Sequence, residues 1–130
     1  MSLRVLVGLL LLGASSGLVL AEEAWSTAES AAVSEWKNGE GKGYGKALEK
    51  AFPKDHGATL SACASELPKP DFSKFTVLLR LDAQGVVEAA LVNPATNMAV
   101  CLQDKMKGWK TLPPLHGGFW AKLALKLKAN

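Results

Sequence analysis

The stretch Phe75-Thr-Val-Leu-Leu-Arg-Leu81 decides the fold. Phe75, Val77, Leu79 and Leu81 alternate onto one face while Thr76 and Arg80 point the other way, the period of two that marks a half-buried strand. Asp82-Ala-Gln-Gly85 follows with turn chemistry, and Gly85 is free to take positive φ. Val86 to Val92 then forms a return strand. The segment is therefore a β-hairpin whose apolar face needs a cover.

The cover follows in sequence. Asn93-Pro94 breaks the return strand, and Thr96 or Asn93 can cap a helix. Along that helix Met98, Cys101, Leu102, Met106 and Trp109 fall on one stripe, while Gln103, Asp104, Lys105 and Lys107 stay wet. Leu112-Pro-Pro114 forbids further helix, and His116-Gly-Gly118 supplies a bend. The final run, Phe119 to Leu127, alternates again. Phe119, Ala121, Leu123, Leu125 and Leu127 share one side; Trp120, Lys122, Ala124 and Lys126 share the other. Its Lys-rich face also suits a membrane-active amphipathic helix, but a period of two rather than 3.6 favours a third strand.

Strand, D-x-x-G turn, strand, helix closing on Lys107-Gly-Trp109, Pro113 and a last alternating strand together resemble the C-terminal domain of TonB-type energy transducers and their periplasmic relatives. The matching residues run from Phe75 to Leu127. The resemblance implies an α+β domain over residues 71–130, with a three-stranded antiparallel sheet packed against one helix. It also implies that the last strand is an edge to which a partner's extended segment can add by main-chain pairing. Carried onto this chain, the candidate binding strand comprises Phe119, Trp120, Ala121, Lys122, Leu123, Ala124 and Leu125. Unlike the transducers, the chain has no long Pro-rich spacer, and Thr111 stands where an aromatic residue is common after the family's Trp.

Residues 22–70 read as a helical segment with a Gly-rich loop. Ala24 to Trp36 forms an amphipathic helix, the glycine run Gly39-Glu-Gly-Lys-Gly-Tyr-Gly-Lys46 ends it, and shorter helices follow over Gly45 to Phe52 and Thr59 to Leu67, stopped by prolines. The glycine run invites a phosphate-binding reading. It fails the P-loop pattern at Glu40 and Ala47, and the dinucleotide pattern at Tyr44 or Lys46. A connector anchored by Tyr44 is the simpler expectation.

Upstream of Glu22, the basic start with Arg4, the apolar run from Val5 to Leu20 and the Val19-Leu-Ala21 tripeptide make a secretory signal peptide cleaved after Ala21. A spanning helix needs roughly 20 apolar residues, and Gly13-Ala-Ser-Ser-Gly17 interrupts this shorter run. The expected location is the periplasm or the exterior. Cleavage leaves about 109 residues, enough for one modest core. Fifteen Lys and Arg less Arg4, against twelve Asp and Glu, leave about +2, too little and too scattered for nucleic acid.

In an exported chain the two cysteines, Cys63 and Cys101, most simply form one disulfide, which would tie the helical segment to the α+β domain. A metal site lacks ligands, because neither cysteine sits in a C-x-x-C pair and His56 and His116 stand apart from them; a reactive thiol is the other alternative. No cofactor motif is present. Asp55-His56 diverges on most backbones, His116 has no acidic neighbour in sequence, and no G-x-S-x-G or S-x-x-K occurs, so no catalytic residues are assigned. The expected function is an exported protein-interaction module whose partner is another exported or envelope protein. Alternatives are an inhibitor or immunity-type protein presenting Lys110 to Gly118 and, less favoured, a small enzyme.

Overall fold

The computed structural model describes residues 22–128; the expected signal peptide lies outside them. Within that range α1 covers residues 22–37, followed by α2 (Gly39–Glu66), β1 (Phe75–Leu81), β2 (Val87–Asn93), α3 (Asn97–Met106) and β3 (Phe119–Leu125). The expected α+β class and three-stranded antiparallel sheet are present, with strand order β2-β1-β3. Central β1 pairs Thr76 with Asn93 on one side and Phe75 with Leu125 on the other. At the hairpin turn Asp82 Oδ1 accepts from the Gln84 and Val86 amides, each at 2.9 Å, and Gly85 takes φ +89°. That conformation suits glycine, and a side chain there would also meet the Thr111 and Leu112 carbonyls.

The alternating face of the strands is the core. Phe75, Val77, Leu79 and Leu81 join Phe119, Ala121 and Leu123, and all are buried beneath Ala99, Leu102 and Met106 of α3 and Tyr44, Leu48 and Phe52 of α2. Thr96 caps α3, its Oγ1 accepting from the Ala99 amide at 3.1 Å, and the Gln103 side chain donates to the Ala90 carbonyl at 2.8 Å to pin α3 to β2. Met98, Leu102 and Met106 are buried as the stripe predicts. Trp109, by contrast, lies beyond the helix end, where the Val87 amide donates to its carbonyl at 2.8 Å.

Three expectations need correction. The sheet is packed not by one helix but on both faces. Leu78, fully buried, points away from the α2 and α3 side and packs with Ala28 and Ala32 of α1, with Trp25, Leu91 and Trp120 around them. The second correction concerns the glycine run, which is not a loop but the first turns of α2, capped by Asn38, whose Oδ1 accepts from the Glu40 amide. Gly41 lies against the Glu35 backbone and Gly45 against the Trp36 ring, so these glycines remove side chains where α1 and α2 meet. Finally, the two short helices expected on either side of Pro53 are one helix of 28 residues. Proline costs a helix interior about 3 kcal/mol. Burial of Leu48, Phe52 and Cys63 along α2 offsets that cost.

Cys63 and Cys101 are bonded, joining the C-terminal half of α2 to α3. Beside the bridge Lys105 Nζ lies 3.0 Å from Glu66 Oε1, an exposed pair that adds little by itself.

Candidate functional site: the edge of β3

Because β1 occupies the centre of the sheet, β3 keeps one side without a strand neighbour. Among the described residues, no backbone hydrogen bond outside the β1 ladder reaches β3 from Phe119 to Leu125. The seven residues divide by face. Phe119, Ala121 and Leu123 are buried in the core. Trp120 packs under α1, Lys122 and Ala124 are exposed, and Leu125 is partly buried. Lys122 Nζ lies 3.1 Å from Glu29 Oε2, so its charge is balanced by α1 rather than directed at a ligand.

The walls of this edge come from the helical segment. From Asn38 the chain passes from α1, on the Leu78 face, to α2, on the core face. The helix pair thereby straddles β3. On the α1 side a groove of about 290 Å³ is lined by Ala32, Val33, Trp36, Glu49, Lys122 and Ala124. A second groove of about 300 Å³ runs past Glu49, Phe52, Pro53 and Leu123 to Lys126. Glu49 and Ala124 border both, so the free edge lies between them. Pro53 has no N–H to offer four residues back, which leaves the Glu49 carbonyl without its helical partner at the same place.

One end of the edge is held by an aromatic stack. The Tyr44 ring lies 4.9 Å from that of Phe119, and its hydroxyl donates to the Leu112 carbonyl at 2.7 Å. Burial pushes the Tyr44 pKa up, so the hydroxyl keeps its proton to donate. Tyr44 is thus an anchor, as its position predicts, but it anchors a helix to the loop before β3.

That loop, Lys110 to Gly118, is tied at several points. The Thr111 amide donates to the Gly85 carbonyl at 2.8 Å, and Leu112 and Leu115 are exposed. His116 Nε2 lies 2.7 Å from Glu35 Oε2, while Nδ1 lies 2.9 Å from the Gly117 carbonyl oxygen. Only an imidazolium donates to both acceptors at once. The Gly117 carbonyl, with the Glu35 carboxylate, holds the His116 pKa above its ordinary value against slight desolvation. His56 contrasts with it: buried, stacked on Trp109 at 4.1 Å, with Nε2 lacking any hydrogen-bond partner in the described structure. Desolvation pushes its pKa down, with Asp55 opposing. The two histidines have different neighbours, Phe52 and Trp109 for one, Glu35 and Phe119 for the other.

The signs of these shifts give opposite pH dependences. The His116 contribution is complete below about pH 6.5 and is lost as pH rises through its raised pKa; that of neutral His56 is present above about pH 6.5 and is lost as pH falls through its lowered pKa. An NMR titration should therefore show the two imidazoles displaced to opposite sides of about 6.5, and Glu35→Gln should lower only the His116 value. Coincident curves would remove the His116–Glu35 tie.

Compared with family models, with curated proteins and with solved structures, the chain finds no match. The functional reading therefore rests on the geometry of this chain.

Sequence reasoning places the β3 strand but misses the groove beside it, because Ala32, Val33, Trp36 and Glu49 belong to elements read as a separate segment and a loop. The signal that could have found it is the spacing of Gly41 and Gly45, four residues apart and so on one helix face.

Proposed function

We propose that this protein is an exported interaction module that takes an extended segment of another envelope protein onto the free edge of β3. The observation that carries the reading is the edge itself, a strand with one side unpaired and apolar walls raised beside it by α1 and α2. Strand addition draws affinity from main-chain hydrogen bonds and selectivity from alternate side chains. Here alternate side chains would meet Ala32, Val33 and Trp36 on one side and Phe52, Pro53 and Leu125 on the other. The TonB-like order of elements over Phe75 to Leu127 supports the same surface, and the export reading rests on the N-terminal 21 residues.

The test is a selection of extended peptides on the purified, oxidised protein, followed by methylation of alternate peptide amide nitrogens. Methylation at one parity should abolish binding and at the other should spare it, since only every second amide faces the edge. Binding indifferent to methylation at both parities would sink strand addition.

A second reading has one observation in its favour. Lys110 to Gly118 is held by Gly85, Tyr44 and Glu35 yet presents Leu115 half-exposed, the form of an inhibitory loop. Such a loop would bind without the β3 amides, so the methylated peptides would not compete with its target.

A further inference from the structure

We propose that a second site, next to the β3 groove and sharing Lys126 with it, binds a single-chain amphiphile with an anionic head, a free acyl chain ending in a carboxylate. A cavity of about 430 Å³ opens where four parts of the chain meet. Leu60 comes from α2, Phe72 from the link to β1, Met98 from the start of α3 and Leu127 from the tail after β3. Met98 is almost fully buried, while Leu60, Phe72 and Leu127 are only partly covered, so an apolar strip runs from floor to mouth beside the polar lining residues. The volume lies within the range of about 300–1,000 Å³ usual for small-molecule sites.

Charge selects the ligand. Lys126 and Lys128 both border the cavity, and among the described residues no carboxylate does. Three other grooves that carry a lysine set acids against it: Glu49 with Lys122, Glu49 with Lys126, and Glu66 and Asp104 with Lys105. Here two ammonium groups, that of Lys126 shared with the Glu49 groove, meet a lining of apolar and hydroxyl side chains in which no described residue is acidic. Two hydroxyls complete the α2 wall. Ser65 Oγ donates to the Ser61 carbonyl at 3.1 Å, and the Ser61 hydroxyl has no partner among the described residues. Lysine and serine donors can hold an anionic head while the tail displaces water from Leu60, Phe72 and Met98. A cationic or zwitterionic head would leave the lysines uncompensated.

The experiment uses the ¹⁵N-labelled, disulfide-intact protein titrated with monomeric decanoate, acetate or decyltrimethylammonium. Decanoate should give saturable shifts at Leu60 to Ser65, Met98 and Lys126 to Lys128. Replacing Lys126 and Lys128 together by alanine should weaken binding about tenfold or more, with the amide spectrum otherwise retained, and Lys122→Ala should leave it unchanged. Equal binding of decyltrimethylammonium, equal binding of acetate, or no saturable shift with decanoate would each overturn the proposal. So would shifts at these residues with anionic vesicles but not with monomeric decanoate, which would mark a membrane-facing patch. Because Lys126 borders both sites, Lys128→Ala separates them: it should weaken decanoate binding and leave peptides on the β3 edge bound as before, so one site can fail without the other.

Discussion

Replacing Cys63 and Cys101 together by alanine is expected to lower the unfolding free energy by about 4 kcal/mol, a large share of the roughly 5–15 kcal/mol that holds a domain together. The bond closes a loop of sequence separation 38, and the chain-entropy relation for that length gives this figure. Location adds to it. Cys63 is fully buried where α2 meets α3, and the neighbouring Lys105–Glu66 pair is too exposed to hold the helices alone. Urea unfolding of the oxidised protein, of the protein kept reduced and of the double alanine variant checks this. The last two should lose similar stability, and a loss under 1 kcal/mol in both would show that the helix pair holds without the bridge.

Gly41→Ala should destabilise the protein by about 3 kcal/mol, while Gly43→Ala, two residues on in the same helix, should stabilise it by up to about 1 kcal/mol. Alanine in place of glycine normally favours a helix, so the reversal at Gly41 isolates packing from propensity. A methyl group on Gly41 runs into the Glu35 carbonyl, which is backbone and cannot swing aside. A methyl group on Gly43 meets nothing. Thermal or urea unfolding of both variants reads the difference. Equal effects at the two positions would mean that α1 and α2 do not meet as described.

These two experiments also show where sequence reading stops. The hairpin, the Asp82 turn, the Thr96 cap and β3 are legible because a period of two, a turn aspartate and a cap are local signals. The junction of α1 with α2 is not local. Four glycines in eight residues carry low helix propensity and read as a loop, yet two of them are needed at a helix contact that exists only in three dimensions. Pro53 misleads in the same way, since burial of Leu48 and Phe52 outweighs the local penalty. Leu78 was the missed clue to the second packed face: with Leu91 and Trp120 it puts apolar residues on the side that Thr76 and Arg80 suggest is wet. The edge position of β3 was expected from a resemblance, and its groove was invisible because residues remote in sequence build the walls.

The central place of β1 also determines when this chain can fold. Phe75 pairs with Leu125 and Leu81 with Phe119, so the sheet stays a bare hairpin until the last strand has been made. Two strands alone are marginal in water. Leu79 and its neighbours have no complete cover until β3 arrives, and such distant pairings are slow to form. The residues that finish the sheet are the last to be made, so the complete core forms only when nearly the whole chain is available.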